Sequence, residues 1–316
     1  MRVRQRVLWP AIVLVAVLAL GAIDAEAKQR AATSSALTDA SAIDTGSIAI
    51  GSIVSTLAPV LATPRSIDTL TISIDAVIAA SGASVGVTLI ELGGATPAVR
   101  SVNGSEVFTA ASTYKLAALM LEAEDIATGT KDPNGVICFQ ADDYESGWFD
   151  DYVDGSCFTR TELAMRAGLY SDNTAGHMLV RDVGGAGALN AWAASEGATS
   201  SVFFDANTTT SSDLAALWLA EADGKLGGPG AQAWLYPVLT NTRTESGVPA
   251  GVSGATVVHK TGAIDLVDND AALVTSGPAG AYILVVLTDG LGGSDGWQLI
   301  ANISATVWQY EASRAK

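Results

Sequence analysis

Only two cysteines and two histidines occur in 316 residues. That leaves too few ligands to expect a zinc site of the usual Cys/His kind, and nothing in the chain indicates an organic cofactor. Basic residues are scarce as well: 17 Lys+Arg stand against 33 Asp+Glu, a net charge of −16. Such a surface repels nucleic acid and anionic lipid head groups, so neither is expected as a partner. Aromatics make up 6% of the chain, yet 49% is apolar, which is ordinary globular material and excludes a disordered chain. A chain of this length can bury one large core or two modest ones.

Long hydrophobic runs are also few. One extends from Val7 to Ile23, behind the basic start Arg2, Arg4 and Arg6 and ahead of Ala25-Glu26-Ala27, a small-x-small cleavage pattern. The run is at the short edge for a membrane-spanning helix and contains Pro10. Residues 1–27 are expected to be a cleaved export signal, with an uncleaved anchor as the alternative. No cysteine lies near it, which excludes a lipid-modified N-terminal Cys. The expected location is secreted or extracytoplasmic, with membrane contact only through that segment. Three basic and two acidic side chains leave with residues 1–27, so 17 and 33 become 14 and 31, a net of −17. Residues 28–65 are rich in Ala, Ser and Thr without a clean period and are expected to be a linker. In an exported chain the single pair Cys138 and Cys157 is expected to form a disulfide, worth on the order of 3 kcal/mol by loop entropy.

The folded domain is expected over 66–316. Ile67, Leu70, Ile74, Val77 and Ile78 recur at helical spacing, and Val85, Val87 and Leu89 alternate as in a strand. A second short strand is expected near Val99. Far downstream, 255–258, 271–274 and 281–287 read as three more strands, with a hairpin turn at 276–280. Trp297, Ile300, Ile303 and Val307 share one face of a last helix. Between these β-rich ends lies a helical block, about 112–240. Thr159 with Glu162 is a capping-box pattern, and helices are expected over 174–180, 190–196, 213–222 and 231–239. The fold class is thus α+β: an antiparallel sheet built from both ends of the domain, flanked by helices, with an inserted helical subdomain. A catalytic cleft is expected at the junction.

Three short segments carry chemistry. Ser112-Thr113-Tyr114-Lys115 precedes a strong helix-forming run, which places Ser112 at a helix start and Lys115 one turn along on the same face. The hydroxyl then lies beside an amine that can take its proton, while free N–H groups and the positive helix end favour an oxyanion. A Ser-x-x-Lys spacing alone is common; Ser313-Arg314-Ala315-Lys316 has it too. Ser171-Asp172-Asn173 sits between two expected helices: Ser171 can relay a proton to a leaving nitrogen, Asn173 can bind a substrate amide, and Asp172 braces the loop. Lys260-Thr261-Gly262 ends a strand: Lys260 offers a cation, Thr261 a hydroxyl, Gly262 close approach, and the Ala263 N–H a second oxyanion donor. Each segment alone is also a plain cap or strand end.

Together, in this order, the three segments resemble those of class A β-lactamases and penicillin-binding serine hydrolases. The likeness extends over about 66–313 and includes Ala111–Leu116, Ser171–Ala175 and His259–Gly262. It implies the two-domain β-lactamase/transpeptidase-like fold and an acyl-enzyme on Ser112, with Lys115 and Ser171 catalytic and Asn173, Lys260, Thr261, Gly262 and Ala263 binding substrate. The chain departs from the family in one place. Class A members carry a loop with an E-x-x-L-N pattern whose Glu activates the water that frees the enzyme. The corresponding stretch here, 198–207, is shortened and has Asp205 as its only acid. Asp205 is the candidate replacement, and slow deacylation is expected. The family also supplies an arginine for the substrate carboxylate; Arg243 lies near, with Ser246 a rival for that position. His177 is expected to be a packed structural histidine, and His259 to point away from the cleft. Trp148, Phe149 and Tyr152 either wall the groove or fill space near the disulfide.

The resemblance implies a monomeric enzyme acting on a small β-lactam or a peptidoglycan peptide. A D-alanyl-D-alanine peptidase that β-lactams merely inhibit is the nearest alternative. A non-catalytic peptidoglycan-binding domain is the remaining one.

Overall fold

The computed structural model describes residues 67–93 and 98–315. The expected export signal 1–27 and linker 28–65 lie outside the described residues. Among those described, no helix is long and apolar enough to cross a membrane.

The chain opens with helix α1 (Ile67–Ser81), strands β1 (Ser84–Glu91) and β2 (Ala98–Val102), and a two-residue strand β3 (Phe108–Thr109). A 3-10 turn, Ala111–Thr113, leads into α2 (Tyr114–Ala127). The hairpin strands β4 (Val136–Cys138) and β5 (Cys157–Thr159) follow, then α3 (Arg160–Leu169), α4 (Asn173–Asp182) and α5 (Gly185–Ser195). Strand β6 (Thr208–Thr209) pairs with β3, and α6 (Ser211–Ala222) and α7 (Gly228–Leu235) complete the helical part. Strands β7 (Val257–Ile264), β8 (Val267–Gly277) and β9 (Gly280–Asp289) and helix α8 (Ser294–Arg314) close the fold.

The main sheet has the order β2-β1-β9-β8-β7, with every neighbouring pair antiparallel. The first two strands thus pair with the last three, as the sequence pattern predicts. Both faces of the sheet are covered. Tyr282, Leu284 and Val286 of β9 pack with Leu70 and Ile74 of α1 and Leu299, Ile303 and Val307 of α8. Ile283, Val285 and Leu287 point the other way, into the core shared with α2 to α7. Period-2 alternation therefore puts apolar side chains on both sides, and β9 reads as one continuous apolar run.

Local chemistry explains where helices begin and stop. The Thr159 hydroxyl accepts from Glu162 N–H at 3.1 Å and starts α3, but the Glu162 carboxylate takes the Arg166 guanidinium at 2.7 Å instead of closing the box. Thr210 caps α6 through Asp213 N–H at 3.0 Å. Helix α5 begins five residues earlier than expected, because Gly185 and Gly187 are poor helix formers and conceal the start. The helix expected over 231–239 changes to a 3-10 turn at Tyr236, where Pro237 has no N–H to continue it. The helix expected from Ser112 also begins differently: the serine sits in the 3-10 turn, entered through Ala111 at φ 48°, and α2 starts only at Tyr114.

The expected disulfide joins Cys138 and Cys157 across the β4–β5 pair. It closes the loop between those strands, and that loop borders the cleft.

Candidate active site

Lys115 is fully buried at the start of α2, and its Nζ is the hub of the cleft. It donates to Ser112 Oγ at 2.9 Å, to the Ser171 carbonyl at 2.7 Å and to Asn173 Oδ1 at 2.7 Å. Burial lowers its pKa from the ordinary lysine value to about 7, against the pull of the Asp172 and Glu145 charges. A lysine so placed is neutral often enough near neutral pH to accept a hydroxyl proton. Gly176 of α4 makes room for it, since a Cβ there would lie 2.7 Å from Lys115 Cε.

Lys260 of β7 is also buried and donates to Ser171 Oγ at 2.9 Å and to the Thr261 carbonyl at 2.7 Å. Burial, together with the Lys115 charge, holds its ammonium well below the ordinary lysine range, although Asp270 opposes them. Ser171 thus bridges the two lysines, its carbonyl facing Lys115 and its hydroxyl Lys260. It holds this position at φ 59°, a left-handed conformation that costs a non-glycine residue on the order of 1 kcal/mol. Asp172 caps α4 through Ala175 N–H at 2.9 Å and also accepts from Trp148 N–H at 3.0 Å and Tyr152 O–H at 2.7 Å. It braces the loop, as expected.

Gly262 meets the nucleophile's turn directly. A Cβ there would lie 2.8 Å from the Ala110 carbonyl and 2.9 Å from Ser112 N and Thr113 N. The residue after it, Ala263, is exposed at the cleft mouth. His259 points the other way, as alternation requires: Nδ1 faces Asp270 Oδ1 at 2.9 Å and Nε2 faces Glu245 Oε1 at 3.0 Å. Burial alone would lower its pKa, but Asp270 and Glu245 outweigh this and raise it to about 9.

Two cavities flank Ser112. One, of about 280 Å³, is lined by Trp148, Ser171, Asn173, Arg243, Thr261 and Ala263, among others. Arg243 stacks on Trp148 at 4.0 Å, so a cation and a hydroxyl converge there. Ser246 is exposed and does not line this cavity. The three aromatics divide: Trp148 walls the groove, whereas Phe149 and Tyr152 pack on the Arg166 guanidinium.

The second cavity, about 380 Å³, is lined by Ser112, Tyr114, Glu145, Asn173, His177, Phe204 and Asn207, among others. Asp205 corrects the sequence reading. It is exposed and absent from this wall, while Phe204 and Asn207 on either side line it. Phe204 sits at φ 74° and packs edge-on to Tyr114 and His177. The acid in the wall is Glu145, which the sequence reading missed. Its Oε1 accepts from Asn173 Nδ2 at 2.8 Å and its Oε2 lies 3.0 Å from His177 Nε2. His177 is therefore no buried packing residue but part of the cavity wall. Its i,i+4 spacing from Asn173 was the available signal, since both lie on one face of α4. Glu145 itself lies in an acidic loop that reads as solvated surface.

Among the described residues no group of three or more His, Cys, Asp or Glu could hold a metal ion.

Residues 69–311 match a family model described as the beta-lactamase enzyme family. No curated protein matches the chain. Among solved structures, one titled PBP-A is 28% identical with a TM-score of 0.72, covering 78% of this chain and 96% of its own. A point mutant of PBP-A, described as an acyl-enzyme complex with penicillin G, is also 28% identical, with a TM-score of 0.71 over 78% and 97%. A beta-lactamase from Sphaerobacter thermophilus DSM 20745 is 25% identical, with a TM-score of 0.70 over 78% and 98%.

Proposed function

The chain belongs to the beta-lactamase enzyme family, and on that footing we propose that it is an exported active-serine hydrolase, acylated at Ser112 by β-lactams or related amides and slow to deacylate. The observation that carries this reading is the hydrogen-bond path from Ser112 Oγ through Lys115 Nζ to the Ser171 carbonyl, with Lys260 Nζ on the Ser171 hydroxyl.

The steps follow from that path. Lys115 takes the Ser112 proton as Oγ bonds the amide carbon. The Ser112 and Ala263 N–H groups receive the developing oxyanion. The Ser171 hydroxyl gives its proton to the leaving nitrogen and takes one from Lys260 Nζ, 2.9 Å away, as the carbon–nitrogen bond breaks. The Asn173 amide binds the acyl carbonyl; Lys260, Thr261 and Arg243 hold a substrate carboxylate. Slow release is argued from the 198–207 loop, whose one acid stays outside the cavity. A positioned general base is worth ~10²–10⁴-fold, or roughly 3–5 kcal/mol of barrier. Export is supported by the Cys138–Cys157 disulfide, which persists in oxidising compartments.

The second reading is a D-alanyl-D-alanine peptidase. The neighbour titled PBP-A and the 198–207 loop, which contributes no acid of its own to the cavity wall, favour it. Both readings need a covalent adduct. Intact-mass measurement after mixing with benzylpenicillin is expected to show one adduct per chain that persists, and none on Ser112→Ala. Prompt return to the unmodified mass with rapid hydrolysis would refute slow deacylation. Cleavage of a D-Ala-D-Ala peptide by the unaltered protein would favour the second reading.

A further inference from the structure

We propose that Glu145, positioned by His177, is the base that activates water to release the acyl group from Ser112, doing from the β4–β5 loop what the 198–207 loop cannot. This rests on the acylation of Ser112 proposed above.

Two observations carry it. First, Glu145 is the acid that lines the 380 Å³ cavity together with Ser112, and the shortened loop contributes only Phe204 and Asn207 to that wall. Second, the carboxylate is held at both ends. Asn173 donates to Oε1 and His177 Nε2 lies 3.0 Å from Oε2, while the ring's other nitrogen faces the Asp143 carbonyl at 3.1 Å. The Glu145 backbone is pinned as well: its N–H donates to the buried Thr174 hydroxyl at 3.0 Å, and that hydroxyl donates to the Glu145 carbonyl at 2.8 Å. A surface glutamate on a long loop has no need of four such contacts.

The step balances. A water oxygen bonds the ester carbonyl carbon as Glu145 takes one of its protons. The ester carbon–Oγ bond then breaks, and Ser112 Oγ takes a proton from Lys115 Nζ, 2.9 Å away. The half-exposed Glu145 carboxyl, 52% accessible, returns its proton to solvent, Lys260 regains one, and Lys115 is left neutral for the next acylation. Turnover stays slow for a geometric reason. Glu145 occupies Asn173 Nδ2, the donor that the substrate carbonyl also needs, so base and substrate compete for it. His177 does not touch the reacting atoms; it is a positioning residue.

The test follows the benzylpenicillin adduct by intact mass, reading both its formation and its loss. Glu145→Gln is expected to lengthen the adduct's life at least tenfold, read from the rate of adduct loss. His177→Ala is expected to lengthen it by a smaller factor, and His177→Gln, which keeps a donor, to restore most of the parent rate of loss. An unchanged adduct lifetime in Glu145→Gln overturns the inference while leaving Ser112 acylation intact. Slower adduct formation with unchanged lifetime also overturns it, because Glu145 would then serve only substrate binding. Absence of any adduct on the unaltered protein removes the acylation reading and this inference with it.

Discussion

One lysine determines the pH behaviour of the cleft. Lys115 must be neutral to accept the Ser112 proton, and burial lowers its pKa to about 7. Its neutral fraction therefore grows as pH rises through 7. The rate of adduct formation should climb over that range and level off above about pH 8, measured with a labelled penicillin at constant ionic strength. Lys115→Met should lower the rate by ~10²–10⁴-fold and abolish the inflection. Lys115 and Ser112 were legible in the sequence because three residues of separation puts both on one face of a helical turn. Glu145 was not, since nothing local distinguishes an acid pinned by a neighbouring helix from one in solvent. Asp205 failed for the same reason in reverse: its position in the chain suggested the cavity, and the backbone turn at Phe204 carried it outside.

Elements act through how closely they approach. Strand β7 reaches the turn that bears Ser112 only because residue 262 lacks a side chain. Gly262→Ala should push the Ala111–Thr113 turn away and misplace the nucleophile. The expected result is a loss of about 10²-fold in adduct formation with the fold retained, read by mass spectrometry beside a circular-dichroism melt. An unchanged rate would mean that the turn can yield without moving Oγ. The loop between β4 and β5 is the other such element. Its ends are tied by Cys138–Cys157, and its middle is gripped by α4 through Asp172, Thr174 and Arg181. The cysteine pair was readable from composition and compartment. The grip of α4 on the loop was not, because it joins side chains far apart in the chain.

Across the whole molecule, buried acids set the response to pH. Burial raises Glu221 and Glu311 to about 7 and Asp268 to about 6. Each holds its proton more firmly folded than unfolded. The stability this gives is complete below the ordinary carboxyl range and is lost as pH rises through 6 to 7. Glu221→Gln isolates one of them, and its amide oxygen can keep the Tyr236 O–H bond that Glu221 Oε2 accepts at 2.7 Å. The melting temperature of Glu221→Gln relative to the parent should rise as pH goes from 5 to 8. A constant difference across that range would show that Glu221 titrates normally in the fold.

The sequence by itself determined the sheet, the helical insertion, the three motifs and their order. Periodicity and cap chemistry are local properties, and a serine hydroxyl needs a base within one helical turn. Only the tertiary structure decided which acid faces the nucleophile, which aromatic walls the groove and which histidine serves the cavity. Those outcomes depend on where loops of unrelated sequence position come to rest against α4 and β7, and on the space that two glycines leave for a lysine stem and a backbone turn.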